Sequence, residues 1–354
     1  MAVLFAVVVS SIILLATGHA PLTVFSDMWN YANTPDQRAI ILNNATTYYL
    51  SGVAVAIGFR MNLFNIGVDG QYRVAAIVAA AVAGALHLAP ILDVAIVLVV
   101  AMLVGAAWAA IAGLLKVKRG VSEVISTIML NYIANALTAY LLTPDRLAVP
   151  IAGSNNIGTR IIPPNGRVPG FAVIPGASVQ VYGLIILAVV VGVGYWFMLN
   201  RTRFGYDLRA TGRSETAAVA SGINVKRMVL VSMIMSGAVA GLVAMPTLLG
   251  EAYTYSNGFP AGIGFVGISV ALLGRNNPVG IAFGAILWSF LSSSQLILDL
   301  GDVPKEIITI MQGISVFSVV IAYELVRRYS IVQQQREVGR QLGSDTPQTP
   351  VVAA

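Results

Sequence analysis

The sequence lacks cysteine, has only two histidines, and carries few charged residues. Without cysteine there can be no disulfide framework, thiol nucleophile or cysteine-ligated metal site. His19 and His87 are too few and too widely separated to suggest a metal cluster, and no Ser-His-Asp arrangement is apparent. A Gly-x-x-x-x-Gly-Lys-Ser/Thr phosphate-binding loop is also missing, so the chain does not supply its own ATPase. A membrane enzyme is therefore a poor fit.

The scarcity of charge excludes a water-soluble globular protein. Only 10% of the 354 residues are charged and 57% are hydrophobic, whereas about 25% are charged in ordinary soluble domains. Several charge-free runs reach the roughly 20 residues that a membrane helix needs. These runs are 94–115, 124–144, 181–200, 228–250 and 252–274.

Apolar runs, divided at glycine, proline and charge, predict an all-α polytopic membrane protein with about ten spans. The predicted spans are 2–19, 40–58, 70–87, 92–115, 122–143, 180–199, 227–248, 260–274, 278–298 and 305–325. The first resembles a cleavable signal, but it lacks a basic start and many spans follow, so we interpret it as a helix. The interruption at 60–70 does not itself have to cross the membrane.

Basic residues set the expected orientation. They cluster at 116–119, 201–227 and 327–328, all on one side if ten spans hold. The positive-inside rule makes that side the cytoplasm, with both termini there, in a prokaryotic plasma membrane. The net charge of +6 therefore reflects loop retention and does not indicate nucleic acid as a partner.

The same orientation divides the chain into segments. Residues 1–328 form the predicted membrane domain, with an external loop at 144–180 and a cytoplasmic loop at 200–227. Residues 329–354 are polar and are expected to be a disordered cytoplasmic tail.

The two halves contain a pair of weakly similar segments, which we call the echo segments. The segment Ile-Gly-Val-Asp-Gly at 66–70 compares with Ile-Gly-Phe-Val-Gly at 263–267. In the predicted topology, residues 40–143 begin outside and residues 227–325 begin inside. The halves are therefore expected to be inverted repeats with broken helices near the midplane, as is common in transporters.

Residues 59–71 place amides, glycines and a carboxylate between apolar helices. Irregular backbone at membrane depth is tolerated only where protein or a water-filled cavity satisfies it, and a buried carboxylate there suggests function. The alternative is a cytoplasmic turn with Asp69 in water. The candidate solute-binding residues of this segment are Phe64, Asn65, Asp69 and Gln71.

A second polar stripe lies on the predicted helix at 122–143. Thr127, Asn131 and Asn135 are spaced four residues apart, so they share one helix face. They could bind a polar solute or bond to a neighbouring helix. Glu123 is expected to favour the positive helix N-terminus.

The loop at 200–227 contains a short alanine-rich helix that Ser214 can cap and Gly222 can end. Bracketed by arginines, it could dock into a partner, or it could lie on lipid headgroups; its lack of bulky apolar residues disfavours the latter. Elsewhere, Gly237 with Gly241 and Gly280 with Gly284 predict close helix packing.

Four segments resemble the ABC permeases for branched-chain amino acids, simple sugars and nucleosides, and most closely the nucleoside and simple-sugar branch. They are Phe-Asn-Ile-Gly-Val-Asp-Gly-Gln at 64–71, Glu-Val-Ile-Ser-Thr-Ile-Met-Leu-Asn-Tyr-Ile at 123–133, Gly-Tyr-Asp-Leu-Arg-Ala-Thr-Gly at 205–212 and 262–274. The resemblance covers roughly residues 20–325. One departure is Val266, where relatives often carry aspartate.

The resemblance implies a permease subunit that imports a nucleoside, or a related simple sugar, by alternating access. The implied partners are a second, similar permease, an external substrate-binding lipoprotein and a cytoplasmic ATPase with two nucleotide-binding domains, which uses ATP and Mg²⁺. This chain is expected to bind no cofactor. The implied ATPase-coupling residues are Arg209, Gly212, Ser214, Glu215, Ala218 and Gly222.

Two competing hypotheses come from other classes. An ion-coupled secondary carrier would use Asp69 as its coupling carboxylate and would need no ATPase. A structural membrane scaffold would tolerate loss of the polar residues at Asp69 and Asn131. ABC import of a sugar or an amino acid is a third alternative.

Overall fold

The computed structural model describes residues 2–344 except 152, 154, 302 and 305. Nearly all of its regular structure is helical, in fifteen α-helices of the described chain. They are α1 Ala2–Ala16, α2 Pro21–Ala32, α3 Pro35–Phe59, α4 Val68–Ala83, α5 Pro90–Arg119, α6 Glu123–Leu141, α7 Ile185–Arg201, α8 Arg203–Arg213, α9 Glu215–Ala220, α10 Val225–Leu242, α11 Met245–Thr247, α12 Ile263–Leu273, α13 Pro278–Ser293, α14 Gln295–Leu300 and α15 Glu306–Ser344.

Helix α3 is the central element of the bundle. It packs against α7, α10, α12 and α13, and α4 packs against α5, α6, α10 and α12. Most of the residues of α3 and α4 are buried. These two helices carry many small residues, so their backbones can be surrounded on all sides by neighbouring helices.

Glycines bring α5 and α10 into close contact, as the small-xxx-small pattern predicts. A Cβ on Gly237 would overlap the backbone oxygen of Gly105, and one on Gly241 would overlap that of Ala101. Gly280 similarly lies against Gly274 at the α12–α13 turn. Only a residue without a side chain fits at such contacts, so the predicted packing role of these glycines is confirmed.

Fewer spans are confirmed than the ten expected. Among the described residues, five helices are long and apolar enough to cross a membrane, or up to seven if each strongly bent helix pair is counted as one span. Helices α4 and α12 have only 16 and 11 residues, about 24 and 16 Å at 1.5 Å per residue. Each is therefore shorter than the roughly 30 Å hydrocarbon core, and neither crosses it alone.

The predicted external loop between α6 and α7 is irregular, as expected. It contains a hairpin of β1 Val149–Pro150 and β2 Ile157–Gly158 and a 3₁₀ helix at Pro164–Gly166. Its backbone bonds to the segment after α10, through Thr159 N to Tyr255 O at 2.9 Å and Val168 N to Leu249 O at 2.8 Å. The loop thus covers one end of the bundle.

Helix α1 falls within the first predicted helix at 2–19, whereas α2 and the C-terminal segment differ from expectation. Helices α1 and α2 are bent by 116°, and α1 packs along α15. Helix α15 continues to Ser344, whereas we expected disorder from residue 329. The segment 329–344 contains four glutamines and two arginines and no proline, so its composition permits a helix despite its polarity. Residues 345–354 of the predicted tail lie outside the described residues.

Candidate functional site

The chain between α3 and α4 is an irregular break at residues 60–67. Asn65 and Gln71, at its two sides, exchange amide hydrogen bonds: Asn65 Nδ2 donates to Gln71 Oε1 at 3.0 Å, and Gln71 Nε2 donates to Asn65 Oδ1 at 2.9 Å. Asn65 also donates to Ser236 Oγ at 2.8 Å and accepts from Gly67 N at 3.1 Å. The pair is buried, so it satisfies polar groups where water is excluded.

Asn131 of α6 forms hydrogen bonds to the backbone at the same break. Its Oδ1 accepts from Gly70 N at 2.9 Å, and its Nδ2 donates to Ile66 O at 3.0 Å. A Cβ on Gly70 would lie 2.8 Å from Asn131 Oδ1, so the glycine permits this approach. Thr127, one turn earlier, is buried and donates to Glu123 O at 2.7 Å. For Asn131, the structure thus shows the helix-bonding alternative.

Asp69 connects the two short helices. Its Oδ1 accepts from Gly264 N at 3.2 Å, in the first turn of α12. A Cβ on Gly264 would overlap the backbone of Asp69, so the N-termini of α4 and α12 meet directly. The buried carboxylate lies where both helix macrodipoles favour negative charge. We call this contact between the N-termini of α4 and α12 the half-helix junction.

The half-helix junction lies well inside the bundle. Ser51 Oγ donates to Ile263 O at 2.9 Å, and Tyr72 Oη donates to Pro260 O at 2.9 Å. Ser51 precedes the last residue of α3, Phe59, by eight residues, which is about 12 Å along the helix axis. That distance approaches half of a roughly 30 Å hydrocarbon core. The two echo segments thus meet inside the bundle, about 12 Å along α3 from its end.

Two exposed side chains, Phe64 and Asn135, and the half-buried Arg73 lie around the break. Phe64 is 51% exposed, and its ring centroid is 5.1 Å from that of Phe59 at the end of α3. Asn135 is exposed on α6, and its Oδ1 accepts a hydrogen bond from Arg73 Nη1 of α4. Arg73 was not among the predicted site residues. The signal for it was a basic residue one helical turn after Asp69 in an apolar run.

The predicted coupling loop folds into α8 and α9. Ser214 Oγ accepts from Ala217 N at 3.2 Å as the N-cap of α9, and Gly222 ends this turn with φ of +82°. Both predicted capping roles are therefore confirmed. Ala218 is buried, whereas Glu215 and Val219 are exposed. One face of α9 packs on the bundle and the other is free to meet a partner.

Gly212 connects this loop to the break. Its carbonyl oxygen accepts from Asn62 Nδ2 at 2.7 Å, and a Cβ there would overlap Arg60 O. Arg60 Nη2 donates to Asn276 O at 2.7 Å in the α12–α13 turn. Arg209 donates from Nη1 to Leu199 O and so ties α8 to α7. The ends of α3, α7, α8 and α12 thus form one bonded surface, which we call the coupling surface.

One of the predicted basic clusters lies where α5 ends beside the start of α6. Lys116, at the end of α5, pairs with Glu123 of α6 at 2.5 Å. Glu123 lies in the first turn of α6, as predicted, and Ser122 makes no side-chain cap there. The charge of Glu123 is therefore balanced by Lys116 in addition to the helix N-terminus.

Comparison with known proteins defines the family of this bundle. A family model described as the permease component of branched-chain amino acid transport systems matches residues 38–320. The chain belongs to this permease family. The guanosine ABC transporter permease protein NupP of Bacillus subtilis (strain 168) is 32% identical over 333 residues, which cover 92% of each chain.

Two further relatives are similar over most of the permease. The nucleoside ABC transporter permease protein NupB of Lactococcus lactis is 29% identical, covering 91% of this chain and 90% of its own. The glucose ABC transporter permease protein TsgB13 of Haloferax volcanii is 28% identical, covering 82% and 77%. No solved structure matches the chain.

A cavity of about 420 Å³ lies elsewhere in the permease, between α3, α7 and α13. Its lining is apolar apart from Thr46 and Tyr49, and it includes Val189, Val193 and Val279, which are exposed on the helix surfaces. Such a groove suits lipid contact and offers few hydrogen bonds to a polar solute. None of the predicted solute-binding residues lines this groove; they lie around the break and the half-helix junction.

The predicted solute-binding residues therefore fall into two groups. Asn65, Asp69, Gln71, Thr127 and Asn131 are buried and bonded within the protein. Phe64 and Asn135 are exposed. A direct solute contact by any of the seven stays a prediction.

Proposed function

We propose that this chain is one membrane-spanning permease subunit of an ATP-binding cassette importer for nucleosides. The names of two similar permeases, from Bacillus subtilis and Lactococcus lactis, support a nucleoside as the solute. The name of the Haloferax volcanii relative supports a simple sugar as the alternative. The missing phosphate-binding loop supports ATP hydrolysis by a separate subunit, which also uses Mg²⁺.

The half-helix junction is the observation that carries this proposal. Two short helices with their N-termini together near mid-depth are the arrangement in which transporters place a solute site between inverted repeats. The direct contact of Asp69 with Gly264, one from each echo segment, supports such a repeat. Opening and closing of the two halves around this junction would alternate access.

The coupling surface suggests how an ATPase acts on the junction. The exposed face of α9, with Glu215 and Val219, would seat in the ATPase, with both chain termini on that cytoplasmic side. Motion of α9 would reach the break through Gly212 and Asn62. From there only two residues separate Asn62 from Asn65 of the buried amide pair.

The remaining partners belong to the opposite end and to the flank of the bundle. The loop between α6 and α7 would meet an external substrate-binding lipoprotein. The exposed flank of α6 and α12, which includes Tyr132 and Phe265, would meet a second permease. A second Bacillus subtilis relative with a different name, the guanosine ABC transporter permease protein NupQ, supports two permeases per importer.

Uptake by reconstituted importer tests the proposal. Proteoliposomes would contain this permease, a second permease and the ATPase, with the binding lipoprotein outside and ATP inside. We expect ATP-dependent accumulation of radiolabelled guanosine, inosine or adenosine. A complex with a hydrolysis-deficient ATPase is the matched control and should accumulate none.

Other outcomes would replace the proposal by a specific alternative. ATP-dependent glucose uptake without nucleoside uptake would make the solute a simple sugar. Nucleoside uptake by this chain alone, driven by an ion gradient, would support the secondary carrier and contradict the ATP-binding cassette assignment.

A further inference from the structure

Arg73 is a charged residue in an unusual place. In the described parts of α3–α7 and α10–α13, other charged side chains lie within about a turn of a helix end. Arg73 is the sixth residue of α4, which itself begins at the half-helix junction. A guanidinium at membrane depth is costly and is kept where it contacts solute, ion or charge partner.

Snorkelling does not account for this arginine. Ala83, the outer end of α4, lies ten positions after Arg73, which is about 15 Å along the helix axis. An arginine side chain can reach the interface only from near a helix end. Its guanidinium therefore stays close to the half-helix junction.

The local bonding leaves part of this guanidinium without a hydrogen-bond partner among the described residues. Arg73 is half-buried, and its Nη1 donates to Asn135 Oδ1. Its Nε is buried and has no hydrogen-bond partner among the described residues. Asn135 is exposed on α6, so the pair lies at the surface of the bundle where α4 packs against α6. Asn135 orients the guanidinium without using all of its five donors.

The shape of the guanidinium points to one kind of ligand. Its planar fork matches two adjacent hydrogen-bond acceptors better than a point charge does. Among nucleobases, guanine presents the acceptors O6 and N7 side by side, whereas adenine presents N7 beside an amino donor. A base with a carbonyl at position 6 therefore suits Arg73, and adenine does not.

We propose that Arg73, oriented by Asn135, is a specificity-determining residue that binds the carbonyl edge of 6-oxopurine nucleosides. The inference rests on the proposed nucleoside import and adds a preference within it. Guanosine and inosine share the recognised edge, and adenosine lacks it. The ribose, which all three share, makes no difference to this preference.

The test is uptake of guanosine, inosine and adenosine by the complete importer in proteoliposomes, with Arg73→Lys and Arg73→Gln. Lysine keeps the charge and loses the fork, and glutamine loses both. Guanosine and inosine uptake should each fall on the order of tenfold relative to adenosine uptake in both variants, as expected for loss of one bidentate contact. Asn135→Ala should give a smaller fall of the same kind.

Arg38→Lys is the matched control. Arg38 Nε also donates to an asparagine, Asn33, at 3.1 Å, but at the start of α3, far along that helix from Ser51 and the half-helix junction. The Arg38→Lys importer should show the same ratios of guanosine and inosine uptake to adenosine uptake as the unmodified importer.

Two results would overturn the inference while nucleoside import stands. Equal loss of all three nucleosides in Arg73→Lys would make Arg73 a structural residue, and unchanged ratios in Arg73→Lys and Arg73→Gln would leave it without a role in selection. If the unmodified importer carries no nucleoside, both the proposed function and this inference are wrong. Because each variant is judged on a ratio, poor assembly alone cannot imitate the expected result.

Discussion

The permease has two irregular segments between its helices, and different groups stabilise each of them. The first break, at 60–67, is short and is closed by its own side chains, Asn65 and Gln71, and by Asn131. The second, between α10 and α12, is longer, includes a π-helical turn at Leu248–Ala252, and bonds to the loop between α6 and α7. The first is therefore braced from within the membrane domain, and the second largely from its outer end.

The comparison also shows that one carboxylate serves both half-helices. Asp69 is the second residue of α4 and accepts from Gly264 N of α12. Val266 occupies the matching place in the echo but is the fourth residue of α12. Because Asp69 already occupies the N-terminus of α12, an aspartate at Val266 is not required to satisfy it.

Gly264→Leu would break the contact between the two halves and should have the largest effect. A leucine side chain there overlaps the backbone of Asp69, which cannot move without moving α4. We expect a loss of at least about 3 kcal/mol of stability, at the upper end for overpacked cores. Thermal unfolding in detergent measures it.

Gly194→Leu is its control. This glycine of α7 has no atom within 4 Å of where its Cβ would be, so its variant should unfold within a few degrees of the unmodified protein. Equal destabilisation by the two substitutions would contradict the tight junction.

Asn131→Ala should weaken the first break alone. It leaves Gly70 N and Ile66 O without their partner, and an unpaired buried group costs about 1–3 kcal/mol. Asn135→Ala, one turn away on the exposed face of α6, should change stability by less than about 0.5 kcal/mol. Denaturant or thermal unfolding of the two variants compares them directly, and equal losses would argue against stabilisation of the break by Asn131.

Asp69→Asn should remove the charge at the half-helix junction while keeping its hydrogen bond. The carboxamide oxygen can still accept from Gly264 N, so we expect only about 1 kcal/mol of lost stability from the macrodipole contribution. ATP-driven uptake should fall about tenfold if the carboxylate charge is used in transport. Adding Val266→Asp would show whether the second half can supply the charge, through partial recovery of uptake. Unchanged uptake in Asp69→Asn would limit Asp69 to a framework role.

Asn62→Gly should have the smallest effect. Asn62 has φ of +56°, which glycine adopts freely, so the variant removes the bond to Gly212 O with little strain. We expect folding to be unchanged and nucleoside uptake per ATP hydrolysed to fall a few-fold. Asn200→Ala, which loses only a bond to Trp196 O in its own helix, is the control. Loss of coupling in both variants would contradict a specific link through Gly212.

Much of this organisation could be predicted from local chemistry. Long charge-free runs indicate membrane helices whatever their neighbours, and Ser214 and Gly222 define α9 through backbone geometry that depends on adjacent residues alone. The glycine spacing on α10 likewise predicted close packing. Span number could not be predicted as securely, because α4 and α12 are apolar enough to resemble full spans but are too short to cross.

The sequence by itself determined that the chain is a helical membrane protein, where most of its helices lie, and which segments carry unusual polarity. Hydrophobicity and capping act over a few neighbouring residues, so they can be predicted in sequence order. Only the tertiary structure decided that Asp69 meets Gly264, that Asn65 pairs with Gln71 beside Ser236, and that Arg73 reaches Asn135. Those contacts join residues up to 195 positions apart, and only the packing of α4 against α6, α10 and α12 brings them together.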